Sequence, residues 1–176
     1  MDAGKLYLDS LKNRLQGFKT SAEKTMAKLT TEQLHWQTAS EPNNIYIIVK
    51  HMSGNMLSRF TDFLTTDGEK PWRKRDDEFV DDPGVELPAI LEMWEKGWAS
   101  FFAAIDAVQP EDLGKTIYIR NEAHTVMDAL NRQGLHHASH VGQILYIGKI
   151  LLAGDWESLS IPKGKSDQFN AEKFSK

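Results

Sequence analysis

The sequence contains no cysteine. That excludes a disulfide framework, a thiolate zinc site, an iron–sulfur cluster and a cysteine nucleophile. Long apolar runs are also missing. The longest, 45–49 and 144–153, the second broken by Gly148 and Lys149, fall short of the ~20 residues of a membrane span. Residues 1–14 alternate apolar with charged side chains and hold no uninterrupted apolar segment, so no signal peptide is expected and the expected location is cytoplasmic, off the membrane. Neither sign of charge dominates. With 21 Lys+Arg against 25 Asp+Glu, the net charge is −4 and the pI about 5.9, which argues against a general nucleic-acid binder. A His-Glu-x-x-His pair, a phosphate-binding glycine loop and a Gly-x-Ser-x-Gly elbow are all lacking, which removes the common metalloprotease, nucleotide and serine-hydrolase signatures. One Glu-x-x-His, Glu32 to His35, occurs, where a di-iron carboxylate bundle needs two with two further glutamates.

What remains is helical periodicity and six histidines in 176 residues, a length that predicts a single domain over 1–176. A first helix is expected from about Lys5 to Leu29. Leu8, Leu11, Leu15, Phe18, Ala22, Met26 and Leu29 form its apolar stripe, and Lys12, Arg14, Lys19 and Lys24 its outer face. A short turn of helix follows at 31–36. The segment 41–44 reads as a turn in which Asn43 or Asn44 caps a second helix running to about Thr65. A third helix is expected from about Glu86 to Val108, with Ile90, Trp94, Trp98, Phe101 and Ile105 inward and the two tryptophans in the core. Lys115 to Thr125 reads as a small hairpin. A last helix, capped by His124 or Thr125, runs to about Ala153 with Gly154 as its stop. Residues 156–176 form an irregular tail. Four long amphipathic helices predict an all-α four-helix bundle. Gly17, Gly54, Gly97, Gly134, Gly142 and Gly148 fall inside these helices, each costing about 1 kcal/mol against alanine, which predicts close helix approach there or space kept for something bulky. The connection 67–84, between the second and third helices, holds seven acids and four bases. Its length suggests a function or mobility, and its charge alone suits a solvated crossover equally well.

His136 and His140 are four residues apart, which stacks two imidazoles one turn apart on one helix face. His51 lies on the apolar side of the second helix and supplies a third nitrogen if the second and last helices are neighbours. His137 can replace His136 in a pair with His140, so spacing leaves the ligand choice open. Three imidazoles with an open position suit a catalytic rather than a structural metal, and such an ion acidifies a bound water or thiol. The competing reading is that these histidines only fill a core. His35 and His124 read as surface or capping residues.

At 50–55 (Lys-His-Met-Ser-Gly-Asn) and 132–143, with its His-x-x-x-His-x-Gly-Gln run, the chain resembles the DinB/YfiT-like superfamily of metal-binding four-helix bundles. Further segments, at 58–60, 67–71, 73–79 and 159–166, are similar to one subgroup, a domain of unknown function. The resemblance implies an up-down-down-up bundle with one divalent ion, zinc or nickel, held by His51, His136 and His140; His137 falls between the ligand positions. It further implies a small-molecule substrate and a transferase that uses a low-molecular-weight thiol such as bacillithiol or mycothiol; a homodimer is common among such relatives. A metal-dependent hydrolase and a non-catalytic metal-binding bundle are the alternatives. Asn55, one turn after His51, and Gln143, three residues after His140, are candidates to orient the ligands or line the pocket. Arg59, Lys70, Arg73, Lys74 and Arg75 can bind the carboxylates of such a thiol, although pairing with Asp76, Asp77 and Glu78 is favoured.

Overall fold

A computed structural model describes residues 2–39 and 43–175. The fold is mostly helical. Among the described residues there are six α-helices and one two-stranded sheet: α1 (Ala3–Met26), α2 (Thr31–Leu34), α3 (Ile45–Phe60), α4 (Leu87–Ala107), β1 (Thr116–Ile119), β2 (Glu122–Thr125), α5 (Val126–Leu152) and α6 (Ser166–Phe174). Helix α3 packs on α4, α1 on α5, and α3 on α5, so the histidine-bearing helices are neighbours. The core between them takes Trp94, Trp98 and Phe101 from α4, Ile48, Met52 and Met56 from α3, and Leu130 and Ile144 from α5.

Local chemistry explains the helix ends. Asp2 caps α1 by accepting from the Lys5 N–H at 2.9 Å. Asn44 caps α3 by accepting from the Ile47 N–H at 2.8 Å; the rest of the turn expected at 41–44 lies largely outside the described residues. Thr125 caps α5 by accepting from the Asp128 N–H at 3.1 Å. Helix α3 stops at Phe60 rather than near Thr65, because Thr61 is extended and Asp62 takes a left-handed φ of 50°. Helix α5 stops because Ala153, not Gly154, takes the positive φ, 44°. The tail expected to be irregular carries α6, none of whose residues is buried.

The stripe of α1 also differs from its expected form. Phe18 is 37% exposed, while Lys19, expected on the outer face, is buried. Its ammonium is met by Glu23 one turn on and by Glu95 of α4 at 2.6 Å. The charge is therefore neutralised where α1 meets α4, and the aliphatic stem covers apolar surface.

The hairpin forms as expected, with Thr116 opposite Thr125 and Ile119 opposite Glu122. Arg120 and Asn121 both take positive φ, 54° and 62°, as a two-residue primed turn requires. The Asp67 carboxylate, at the start of the α3–α4 connection, accepts from the N–H groups of Glu69, Arg120 and Asn121 at 2.7, 2.9 and 2.8 Å. It fixes one end of the connection to the hairpin.

The helical glycines divide by their surroundings. A Cβ at Gly97 would lie 2.8 Å from the Ser53 Cα, so its absence lets α4 approach the α3 backbone. A Cβ at Gly54 would overlap the Glu78 carboxylate, and one at Gly148 the Thr25 side chain. Gly17 and Gly142 face open space, contrary to the close packing expected there. No described helix is long and apolar enough to cross a membrane.

Candidate metal centre

Helical spacing places His136 and His140 on one face of α5, and the packing of α3 on α5 brings His51 against both. Ring centroids are 5.3 Å apart for His51–His136, 5.1 Å for His51–His140 and 4.5 Å for His136–His140. One nitrogen from each ring lies within 4.8 Å of the others, a group that could hold a metal ion.

The second nitrogens explain how these rings are aimed. The His51 Nδ1 lies 2.9 Å from the Glu78 Oε2, and the His140 Nδ1 lies 2.8 Å from the Gln143 Oε1. Each bond fixes the tautomer with hydrogen on Nδ1 and leaves Nε2 with its lone pair free. The His136 Nε2 is buried and has no hydrogen-bond partner among the described residues. Burial, with His140 and His51 nearby, lowers the His136 pKa from 6.5 to about 4. Burial also lowers that of His140, against the opposing pull of Gln143. At neutral pH both rings are uncharged, the state a metal ligand requires. Three imidazoles, two held by neighbours and one with a buried unpartnered nitrogen, fit a borderline divalent ion.

Glu78 is the partner that sequence reasoning missed. It sits in a 3-10 turn, Asp76–Phe79, within the connection. Arg73 binds it twice, Nε to Oε1 at 2.8 Å and Nη2 to Oε2 at 2.9 Å. The side chains of His51, Glu78 and Arg73 are all nearly inaccessible. Burial alone would raise the Glu78 pKa, but the hydrogen bonds from His51 and Arg73 outweigh it and hold the carboxyl below its usual value. Phe79 packs on the His51 ring at 4.9 Å, and Arg75 covers Phe79. The connection is therefore more than a solvated crossover. Six further acids surround Glu78 in that segment, and nothing in their spacing marks which one turns inward.

The other proposed residues separate. Gln143 contacts a candidate ligand directly. Asn55 is buried beside the cluster, and its Oδ1 has no partner among the described residues. Arg59 is buried and donates to the Gly68 carbonyl and to the Glu69 carboxylate, the latter at 2.9 Å; it is not paired within 76–78. Arg73 and Arg75 do pair there, with Glu78 and Asp76. Lys70 donates to Thr66 and to the Asp67 carbonyl. His137 is completely buried against Trp98 and Phe101, turned from the cluster into the core. His35, expected as a surface or capping residue, stands at the C-cap of α2 but not on the surface: its side chain is 8% exposed, with Nδ1 2.7 Å from Asp81 and Nε2 2.9 Å from the Val85 carbonyl. It ties the end of α2 to the end of the connection. His124 lies on the hairpin, 2.7 Å from Asp128.

An open cleft of about 690 Å³ adjoins the cluster. It is lined in part by His136, Gln133, Arg132, Asn55 and Arg59, so His136 borders solvent-accessible space.

A family model described as "Protein of unknown function (DUF1572)" matches residues 2–165. No curated protein matches the chain. Among solved structures, a conserved protein from Enterococcus faecalis is similar at a TM-score of 0.60 and 16% identity, covering 86% of this chain and 98% of its own. At that identity the likeness shows a shared fold alone.

Proposed function

The chain belongs to that family of proteins of unknown function, and from that premise we propose that it is a metal-dependent enzyme whose divalent ion is held by His51, His136 and His140. A small-molecule thiol is its nucleophile, and the reaction is transfer of that thiol to an electrophile. The observation that carries this reading is the convergence of three imidazoles on the edge of a solvent-accessible cleft. In this reading the four long helices form an up-down-down-up bundle of the DinB/YfiT-like kind, and zinc or nickel suits the all-imidazole donor set.

Bound there, the ion supplies a Lewis acid that lowers the pKa of a thiol or water. The chain's own residues do the rest. Glu78 and Gln143 hold the His51 and His140 rings with Nε2 free. Burial keeps His136 unprotonated. Because the chain has no cysteine, any thiol enters as a separate molecule, through the cleft.

The test begins with metal content. Protein purified without chelator or affinity tag is expected to carry, or take up, close to one zinc or nickel per chain. His140→Ala is expected to lose the ion while keeping its helical circular dichroism. Metal-dependent conjugation of a panel of thiols to monochlorobimane then supports the transferase. Conjugation with none of them, in metal-loaded protein, overturns the thiol and leaves water as the nucleophile of a hydrolase. Absence of metal binding overturns both and leaves the histidines as core.

A further inference from the structure

Both ring nitrogens of His35 face acceptors. Nδ1 lies 2.7 Å from the Asp81 Oδ1, and Nε2 lies 2.9 Å from the Val85 carbonyl oxygen. A neutral imidazole donates through one nitrogen only. The arrangement therefore holds one proton more than a neutral ring beside a carboxylate. An imidazolium facing an ionised Asp81 supplies it; a protonated Asp81 donating to Nδ1 has the same proton count. Asn44 donates to the same Asp81 oxygen at 2.9 Å while its own Oδ1 caps α3, so the carboxyl is held in place. The His35 side chain is nearly inaccessible, which leaves little water to replace a lost bond. Tyr46 of α3 packs on the ring at 4.8 Å. Burial, then Asp82 and Asp81, hold its hydroxyl above the ordinary tyrosine value, so it stays uncharged. Lys50 lies over Tyr46 and donates to the Val80 carbonyl. Glu32 of α2 and Glu86, at the start of α4, are near in the chain and not bonded to the ring.

We propose that His35 and Asp81 form a pH-sensitive latch on the connection that covers the histidine cluster. Closed, with its proton, the latch ties the end of α2 to residues 81 and 85. When the proton leaves, one ring nitrogen turns a lone pair toward an oxygen at hydrogen-bond distance. The charged acceptor is the stronger partner, so Nδ1–H stays on Asp81 and the Val85 carbonyl is released, next to the start of α4. The folded pair binds the proton, and the unfolded chain holds the two residues apart. The latch therefore contributes at acid pH and is lost as pH rises. The sign is the reverse of that for a ring buried neutral, such as His136. Asp81 lies three residues beyond Glu78, which holds the His51 ring, so the segment freed is the one that continues from the cover of the cluster. The latch acts whether or not a metal ion is bound there.

The experiment follows the full metal-free chain from about pH 6 to about pH 9. Chemical shifts of the His35 ring nitrogens and the Asp81 carboxyl carbon report where the proton is. Hydrogen exchange, expressed as protection over the unfolded rate at each pH, reports two amides beside the latch. The Val85 N–H is bonded to the Asp82 carbonyl at 3.0 Å and the Leu87 N–H to the Thr31 hydroxyl at 3.3 Å. Their protection is expected to fall about five-fold, the worth of one hydrogen bond, at the pH where the pair loses its proton, while the centre of α5 stays protected. Asp81→Asn keeps the shape and removes the charge that favours the proton, so its transition is expected at least about one pH unit lower. His35→Gln has nothing to titrate there and is expected to lose the pH dependence at both amides. Protection that does not change with pH, or that changes while the pair keeps its proton, overturns the proposal. So does an unshifted transition in Asp81→Asn, or a pH dependence that persists in His35→Gln.

Discussion

Glu78 accepts the Nδ1–H of His51 at 2.9 Å from a segment 27 residues further along the chain. This buried carboxylate orients the imidazole and fixes hydrogen on Nδ1, an effect that changes metal affinity by roughly 10- to 100-fold in comparable sites. Glu78→Gln is therefore expected to weaken zinc binding by about that factor, measured by competition with a chelating indicator. Glu78→Ala is expected to go further and destabilise the fold by up to roughly 3–5 kcal/mol, because it removes the two-bond partner of the buried Arg73 and leaves it only Glu69 at 3.7 Å; urea unfolding of the metal-free protein measures this.

Gly54→Ala tests the same partnership from the other side. The new methyl carbon would lie 2.8 Å from the Glu78 Cδ and closer still to its Oε1, and Arg73 holds that carboxylate in place. The expected cost is about 1–3 kcal/mol of overpacking, with weaker metal binding in parallel. Gly142→Ala, at a position facing open space, is expected to stabilise α5 by up to about 1 kcal/mol. Denaturant melts of the two variants decide both.

His136 makes stability depend on pH. Its pKa is about 4 in the fold against 6.5 as the ordinary value, so between those limits the unfolded chain binds the extra proton. The contribution is fully present above about pH 6.5 and is lost as pH falls toward about 4. Metal-free protein is expected to lose more stability between about pH 7.5 and about pH 5 than its His136→Gln variant does, measured by urea unfolding at each pH. Bound metal is expected to dissociate over the same acid range, because protons compete for the imidazoles.

Asp67 holds three backbone N–H groups of the connection and the hairpin turn. Burial would raise its pKa, but those three bonds and the Arg59 charge hold it below the usual aspartate value. Asp67→Ala is expected to cost about 1–2 kcal/mol. Hydrogen exchange is expected to speed up at Arg120 and Asn121 while the centre of α5 stays protected.

Much of this was legible before any coordinates. The stripe of α4 repeats at helical spacing, and every residue expected in it is buried. The pair His136–His140 is a local feature, visible because four residues make about one turn. The third histidine needed only the neighbour relation of α3 and α5. Glu78 was not legible, because a 3-10 turn inside a charge-rich connection has no period to betray which acid faces inward. Lys19 was misread for a related reason. Its partner Glu95 lies 76 residues away, and a lysine on a helix looks solvated until the opposite helix is in place. His35 lies at a helix end, where sequence suggests exposure, yet residues 81 and 85 fold back over it.

The two histidines of α5 are close in the chain, whereas His51 lies 85 residues before His136. A chain still searching for its fold therefore already owns a two-nitrogen chelate, limited to one helical turn. An ion captured early would favour the helical state of α5, since a turn must form to bring both nitrogens together. Some of its affinity would then belong to the unfolded ensemble, so adding metal would raise the melting temperature by less than its affinity for the folded protein suggests.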